Sequence, residues 1–192
     1  MAYIFKIKIA GLTKPPVWRR LQVPQNITFD RFHMMIQVAF GWENDHLYKF
    51  SDVPYGSPFE ISMPSEFEDF GMGGLHEWHD SGKMKLSDYF SEEKRHLVYL
   101  YDFGDDWVHE IVLEEINDEE PSSAVCLQGK GACPPEDVGG PMGYENLKRA
   151  FREDPGGEEA TMYAEWLWLA PDETFDPTAF NLKMTNLELQ GV

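Results

Sequence analysis

Cysteine is nearly absent from this chain. Cys126 and Cys133 are the only two in 192 residues, too few for a disulfide scaffold, so a reducing cytoplasmic setting is the expectation. Basic residues are also scarce: sixteen Lys and Arg stand against thirty-four Asp and Glu, for a formal net charge of -18. The acidic excess is spread along the chain and opposes direct phosphate neutralisation, which disfavours direct DNA binding and favours cationic ligands or basic protein partners. The one compact basic stretch is Trp18-Arg19-Arg20 with Lys14 nearby, and strand arginines are expected to pair with the abundant carboxylates. Long apolar runs are missing, so no membrane span is expected. The opening MAYIFKIKIAGL alternates and lacks the charged start and small-residue cleavage site of an export signal. Nucleophile elbow, phosphate-binding loop, dinucleotide fingerprint and metalloprotease helix are all absent.

Aromatic residues are abundant. Six Trp, eight Tyr and thirteen Phe, within a hydrophobic content of 42%, supply large side chains that need a core or a recognition role. The length suits one domain spanning residues 1–192.

Period-two alternation predicts strands over 3–9 and 17–23, with Gly11 and Pro15-Pro16 between them. Phe29, Phe32, Ile36, Ala39 and Phe40 recur at helical spacing, with Asn26 or Thr28 as cap and Gly41 as stop. Strand patterns resume over 46–51 and 59–63, and 64–82 reads as a long irregular stretch. A short helix is expected over 86–92. A second irregular stretch, 117–141, precedes helices around 144–151 and over 158–170, and Phe175-Asp176-Pro177 reads as a cap opening a short helix through Phe180.

The densest segment is YDFGDDWVHE, Tyr101 to Glu110. The flanking runs 96–103 and 107–116 are β-rich, and the Gly-Asp-Asp between them predicts a hairpin with a three-residue loop. In that register Phe103 faces Trp107 and Tyr101 faces His109, which segregates the apolar residues onto one side. Asp102, Asp105, Asp106, Trp107 and His109 then form a candidate binding rim for a divalent cation or a cationic partner. Turn chemistry alone accounts for Asp105 and Asp106, whose short side chains accept local backbone hydrogen bonds. Their spacing does not fit a calcium loop.

Glu136 and Asp137, within PPEDVGG, stand equally well as carboxylates offered to a metal or partner and as caps for backbone N–H groups. Cys126, Cys133, His76 and His79 are the residue types of a zinc site, but the cysteines lie seven apart rather than in a knuckle. Small buried thiols are the favoured reading. No histidine is placed by sequence beside either cysteine to act as a base.

PPVWRRLQVP, AFGWENDHLYKF, YLYDFGDDWVHEI, CLQGKGACPPEDVGG and MGYENL, followed by the late FDPTAF, resemble the plasmid pRiA4b ORF-3-like family in content and order over nearly the whole chain. The resemblance implies an uncharacterised family, some of whose members lie in mobile elements and carry a resolvase label. The chain has no recombinase serine motif to support that label. Many relatives carry Cys where this chain has Val138, so a metal or redox set using that cysteine would be incomplete here.

The expectation is a single compact α+β domain, a mainly antiparallel sheet with a central β-hairpin, flanked by helices. The expected function is a non-enzymatic binding or accessory module whose site draws on Asp102, Asp105, Asp106, Trp107, His109, Glu136, Asp137 and His46. The alternative is a metal-dependent hydrolase or nuclease using the same carboxylates, with His46 or His109 as ligand or base.

Overall fold

Strict alternation in the first strand, β1 (Ala2–Ile9), turns Tyr3, Phe5, Ile7 and Ile9 to one face, where all four are buried, and Lys6 and Lys8 to the other. The same division runs through β2 (Trp18–Pro24) and β7 (Trp107–Asn117), which flank β1 on either side with antiparallel pairing. The structure is a computed structural model describing residues 1–64, 77–119, 121 and 123–192. Its other strands are β3 (Tyr48–Ser51), β4 (Phe59–Ser62), β5 (Glu77–Asp80), β6 (His96–Tyr101) and β8 (Val125–Lys130). Among the described residues they form one eight-stranded sheet of order β5-β4-β3-β6-β7-β1-β2-β8, in which only β4 and β5 run parallel. The helices are α1 (Phe29–Phe40), α2 (Leu86–Tyr89), α3 (Gly140–Glu153), α4 (Glu158–Trp166) and α5 (Leu182–Glu188). This is the expected α+β architecture, and no helix among the described residues is long and apolar enough to cross a membrane.

α1 starts where the Thr28 hydroxyl accepts from Arg31 N and stops at Gly41, held at φ 97°. Its apolar stripe lies on the inner face of the sheet: Phe32 meets Phe5 at 4.9 Å between ring centroids, and Phe29 meets Phe50 at 5.0 Å. Phe5, Phe29, Phe32 and Phe50 are all fully buried. At roughly 1.5–3 kcal/mol per buried Phe, these rings anchor the helix to the sheet. The outer face carries ion pairs instead, Lys8–Glu110 at 3.7 Å and Arg20–Glu114 at 2.6 Å.

Arg19 departs from the expectation of an ion pair. Its side chain points inward, only 2% exposed, and donates to four carbonyls: Trp18 at 2.9 Å, Ala39 at 2.8 Å, Lys130 at 3.0 Å and Gly131 at 3.1 Å. Its guanidinium lies over the Phe180 ring at 4.1 Å and the Phe40 ring at 5.0 Å. β-Strand alternation forces this, because Leu21 and Val23 must face the core and Arg19 shares their side.

Three stretches differ from the sequence expectation. β5 lies within 64–82 and β8 within 117–141, both expected to be irregular; both are edge strands, paired with another strand on one flank only and so without a strong apolar alternation. β8 is closed off by Asn186 of α5, whose amide accepts from Cys126 N at 2.7 Å and donates to Cys126 O at 2.9 Å, as a further strand would. The expected helix through Phe180 is a turn in which Asp176 accepts from Thr178 N, and the helix follows at α5, capped by Asn181. Phe180 packs against Gly129, where a Cβ would meet the ring at 2.6 Å.

The hairpin between β6 and β7 also differs. Tyr101 pairs with Trp107, Tyr99 with His109 and Leu97 with Ile111, so the loop is the five residues Asp102 to Asp106 rather than three. Asp102 and Asp106 both adopt left-handed φ, 54° and 63°. The slip is two residues, an even number, so the inward and outward faces are unchanged.

Candidate functional site

Depth in the core decides which residues of the hairpin reach the surface. Trp107 and His109 are 0% exposed and belong to the core rather than to the expected rim. Trp42 lies against both, at ring-centroid distances of 6.1 and 5.2 Å. His109 Nδ1 faces the Trp107 carbonyl at 2.9 Å. Burial pushes its pKa down to about 3.

The loop carboxylates separate into roles. Asp105 accepts from Gly139 N at 3.0 Å and Asp106 accepts from the Tyr55 hydroxyl, so both tie the loop to its surroundings. Asp102 accepts from Gly104 N at 2.8 Å through Oδ1, which leaves Oδ2 facing His46 Nε2 at 3.7 Å.

His46 is delivered by the 41–47 connection between α1 and β3. That connection is held at several points: Trp42 Nε1 donates to Pro134 O at 2.9 Å, Glu43 N to Glu136 Oε1 at 3.0 Å, Asn44 N to Gln37 Oε1 at 3.1 Å and Asp45 N to the Tyr101 hydroxyl at 3.1 Å. Tyr101 in turn donates to Glu136 Oε1 at 2.9 Å. One oxygen of Glu136 therefore takes two donors, and the other, Oε2, has none among the described residues.

Around His46 Nε2 stand Asp137 Oδ1 at 3.3 Å, Asp102 Oδ2 at 3.7 Å and Glu136 Oε2 at 3.9 Å. His46 Nε2 and Glu136 Oε2 are shielded from solvent, and among the described residues neither makes a hydrogen bond. One ligand atom each of His46, Asp102 and Asp137 can lie within 4.8 Å of the others. Burial raises the Glu136 pKa above the ordinary carboxylate range, against the lowering effects of Glu43 N and the Tyr101 hydroxyl. Asp137 is held at φ 55°, in the left-handed region, and its side chain is 75% exposed.

The structure thus brings together His46, Asp102, Glu136 and Asp137, turns Asp105 and Asp106 to anchoring, and buries Trp107 and His109. It does not assemble the zinc set. Cys126 is on β8 and His79 on β5, opposite edges of the sheet, and His76 lies outside the described residues. Both thiols have pKa values raised by burial. Tyr101 and Trp42, which orient the cluster, carried no sequence signal of that role, because their partners are remote in the chain.

A second buried network stands behind the cluster. His33 Nδ1 faces the Tyr99 hydroxyl at 2.8 Å and Nε2 faces Asn44 Oδ1 at 2.6 Å, with the ring stacked 3.6 Å from Tyr48. Burial lowers the His33 pKa to about 4. An unfolded chain protonates both His33 and His109 near 6.5, so between pH 6.5 and 4 the unfolded state binds more protons and stability falls as acid is added. Glu136 acts in the opposite sense over its own range. At up to about 1.4 kcal/mol per pH unit per histidine, urea denaturation at pH 6.5 and 4.5 should differ by about 3–5 kcal/mol. A flat profile would contradict the neutral burial of these rings.

The family model of the plasmid pRiA4b ORF-3-like protein matches residues 1–184. The chain belongs to this family. It is 34% identical over 194 residues to the uncharacterized protein y4hQ of Sinorhizobium fredii, covering 97% of this chain and 90% of that one. It is similar also to the crystal structure of MM3350, a protein of unknown function from Methanosarcina mazei, at 36% identity and a TM-score of 0.77 over 95% of this chain and 96% of the other. The pRiA4b ORF-3-like segments converge in space: AFGWENDH brings His46, YLYDFGDD brings Tyr101 and Asp102, and CPPEDVGG brings Glu136 and Asp137.

Proposed function

We propose that the protein is a binding module whose His46, Asp102, Glu136 and Asp137 hold one divalent cation. The observation that carries this reading is the convergence of donor atoms on His46 Nε2 at 3.3, 3.7 and 3.9 Å, with His46 Nε2 and Glu136 Oε2 buried and without hydrogen-bond partners. A tetrahedral ion with ligand bonds of about 2.0–2.1 Å separates its ligands by about 3.3–3.4 Å; the His46–Asp137 distance of 3.3 Å matches this, and Asp102 and Glu136 stand farther out at 3.7 and 3.9 Å. Imidazole with carboxylates suits Zn²⁺ or Mn²⁺. Buried polar atoms without partners are costly, and an ion would satisfy both at once.

A hydrolytic role is the second reading, favoured by the exposure of Asp137, which leaves one side of the cluster reachable by water and substrate. A metal with an open position activates water as a nucleophile.

Calorimetric titration of metal-free protein with Zn²⁺ and Mn²⁺ tests both readings. One equivalent is expected to bind and raise the melting temperature, and at a hundred times Kd the gain is about 2.7 kcal/mol. His46→Gln and Asp102→Asn should each weaken binding at least ~10-fold, whereas Glu110→Gln on the outer face should not. Binding indifferent to His46→Gln would end the metal reading. Turnover of bis(p-nitrophenyl) phosphate by the loaded protein, lost in His46→Gln, would place the hydrolytic reading first.

A further inference from the structure

Asp137 borders two spaces. One is the His46 cluster, and the other is a cleft of about 270 Å³ lined by Asp137, Val138, Met162, Tyr163 and Trp166. α4 supplies the wall through helical spacing, since residues 162, 163 and 166 adjoin one another on successive turns. Ala160 is its one buried residue, so the face toward the cleft stays open, with Met162 56% and Trp166 42% exposed. The Tyr163 and Trp166 rings lie 6.3 Å apart at 58°, two π faces meeting as a corner rather than a stack. A larger hollow of about 590 Å³ beside β5 carries less, because its charged lining is already engaged: Lys83 with Asp80 at 2.9 Å, His79 with Glu77 at 2.9 Å, Asp88 with Lys85 N at 2.8 Å and Lys94 over the Tyr89 ring at 3.7 Å.

An aromatic corner beside a carboxylate, on a chain of net charge -18, has the electrostatics of a receptor for an organic cation. Ring faces attract positive charge, the acidic field concentrates it, and the apolar walls accept alkyl groups. A neutral apolar ligand would desolvate Asp137 without pairing it. A primary ammonium needs three acceptors; Asp137 Oδ1 already faces His46 Nε2 at 3.3 Å, which leaves Asp137 Oδ2 and the Tyr163 hydroxyl as the side-chain oxygen acceptors among the described lining residues. The volume lies below the roughly 300–1,000 Å³ of pockets for drug-sized ligands, which fits a headgroup. We propose that this cleft binds the quaternary ammonium headgroup of a small molecule, with Trp166 and Tyr163 on the cation and Asp137 as its counter-charge.

The test is a titration with choline in EDTA, beside 3,3-dimethylbutanol, which has the same branched shape without the charge. Using EDTA keeps the result independent of the metal reading. Choline should bind saturably at one equivalent and quench Trp fluorescence, with the alcohol at least ~10-fold weaker. Trp166→Leu should weaken choline by roughly threefold to thirtyfold while leaving Zn²⁺ titration at His46 unchanged. Asp137→Asn should weaken choline and spare the alcohol, which keeps the test decisive if the Trp166 variant does not fold. No saturable choline binding by the unaltered protein, equal affinity for the alcohol, or wild-type choline affinity in both variants would overturn the proposal.

Discussion

Arg19→Met should cost the protein about 3–5 kcal/mol, seen as a fall of roughly 10 °C in melting temperature. The methionine keeps much of the side-chain length but removes the donors to Trp18, Ala39, Lys130 and Gly131 carbonyls. Each buried acceptor left without a donor costs about 1–3 kcal/mol, and partial rehydration keeps the total below the simple sum. The loss should also free the segment that carries Phe180, whose ring packs on the guanidinium at 4.1 Å. Arg19→Lys separates the two contributions: it retains the charge, but one ammonium cannot span four carbonyls, so more than half of the loss should remain. Denaturant unfolding measures both variants. A loss under about 1 kcal/mol for Arg19→Met would mean that the inner arginine is not a structural tie.

Gly143→Ala should destabilise by about 2–4 kcal/mol, opposite in sign to the ordinary gain of about 0.5–1 kcal/mol from replacing glycine in a helix. A Cβ at this position of α3 would meet the Val138 carbonyl oxygen at 1.7 Å. No rotamer relieves a clash between Cβ and backbone, so either α3 or the PPEDVGG loop must move. Val138 follows Asp137 directly, and Gly139 N is bonded to Asp105. Displacing the loop therefore draws Asp137 and Glu136 away from His46. Divalent-metal affinity should fall at least ~10-fold along with stability. Gly156→Ala is the comparison, because nothing lies within 4 Å of a Cβ there and no loss beyond ~0.5 kcal/mol is expected. Parity between the two variants would show that α3 and the loop adjust independently.

Elements with dense local signals were legible in the chain. Alternation in 3–9 and the 3.6-period stripe from Phe29 to Phe40 depend on a single face meeting a single core, so pattern and structure coincide. β5, β8 and α5 were hidden for one shared reason. Each is stabilised by a neighbour from another segment: β5 by β4, β8 by β2, and α5 by β8, through Asn186 on the Cys126 backbone. The five-residue hairpin loop has no local signal in the sequence, because Asp102 and Asp106 take left-handed φ and Asp102 N bonds to Leu47 O at 3.0 Å, a contact from another strand's lead-in. His46, Asp102, Glu136 and Asp137 stood out as chemistry-bearing residues, as did Asp105, Asp106, Trp107 and His109. Composition could not divide them, because the division follows from exposure and partner geometry.

Residue order alone determined the family, through motifs that follow one another along the chain, and also the α+β class, the acidic field and the inward or outward face of each alternating strand, because these last three depend on local periodicity and summed charge. Tertiary structure alone decided which four carbonyls Arg19 ties together, that the His109 ring is wholly buried, and that His46 stands among three carboxylates. The reason is that the cost of a buried polar atom, or the worth of a charge, depends on what lies within about 4 Å of it, and those neighbours are supplied by chain segments far away in sequence.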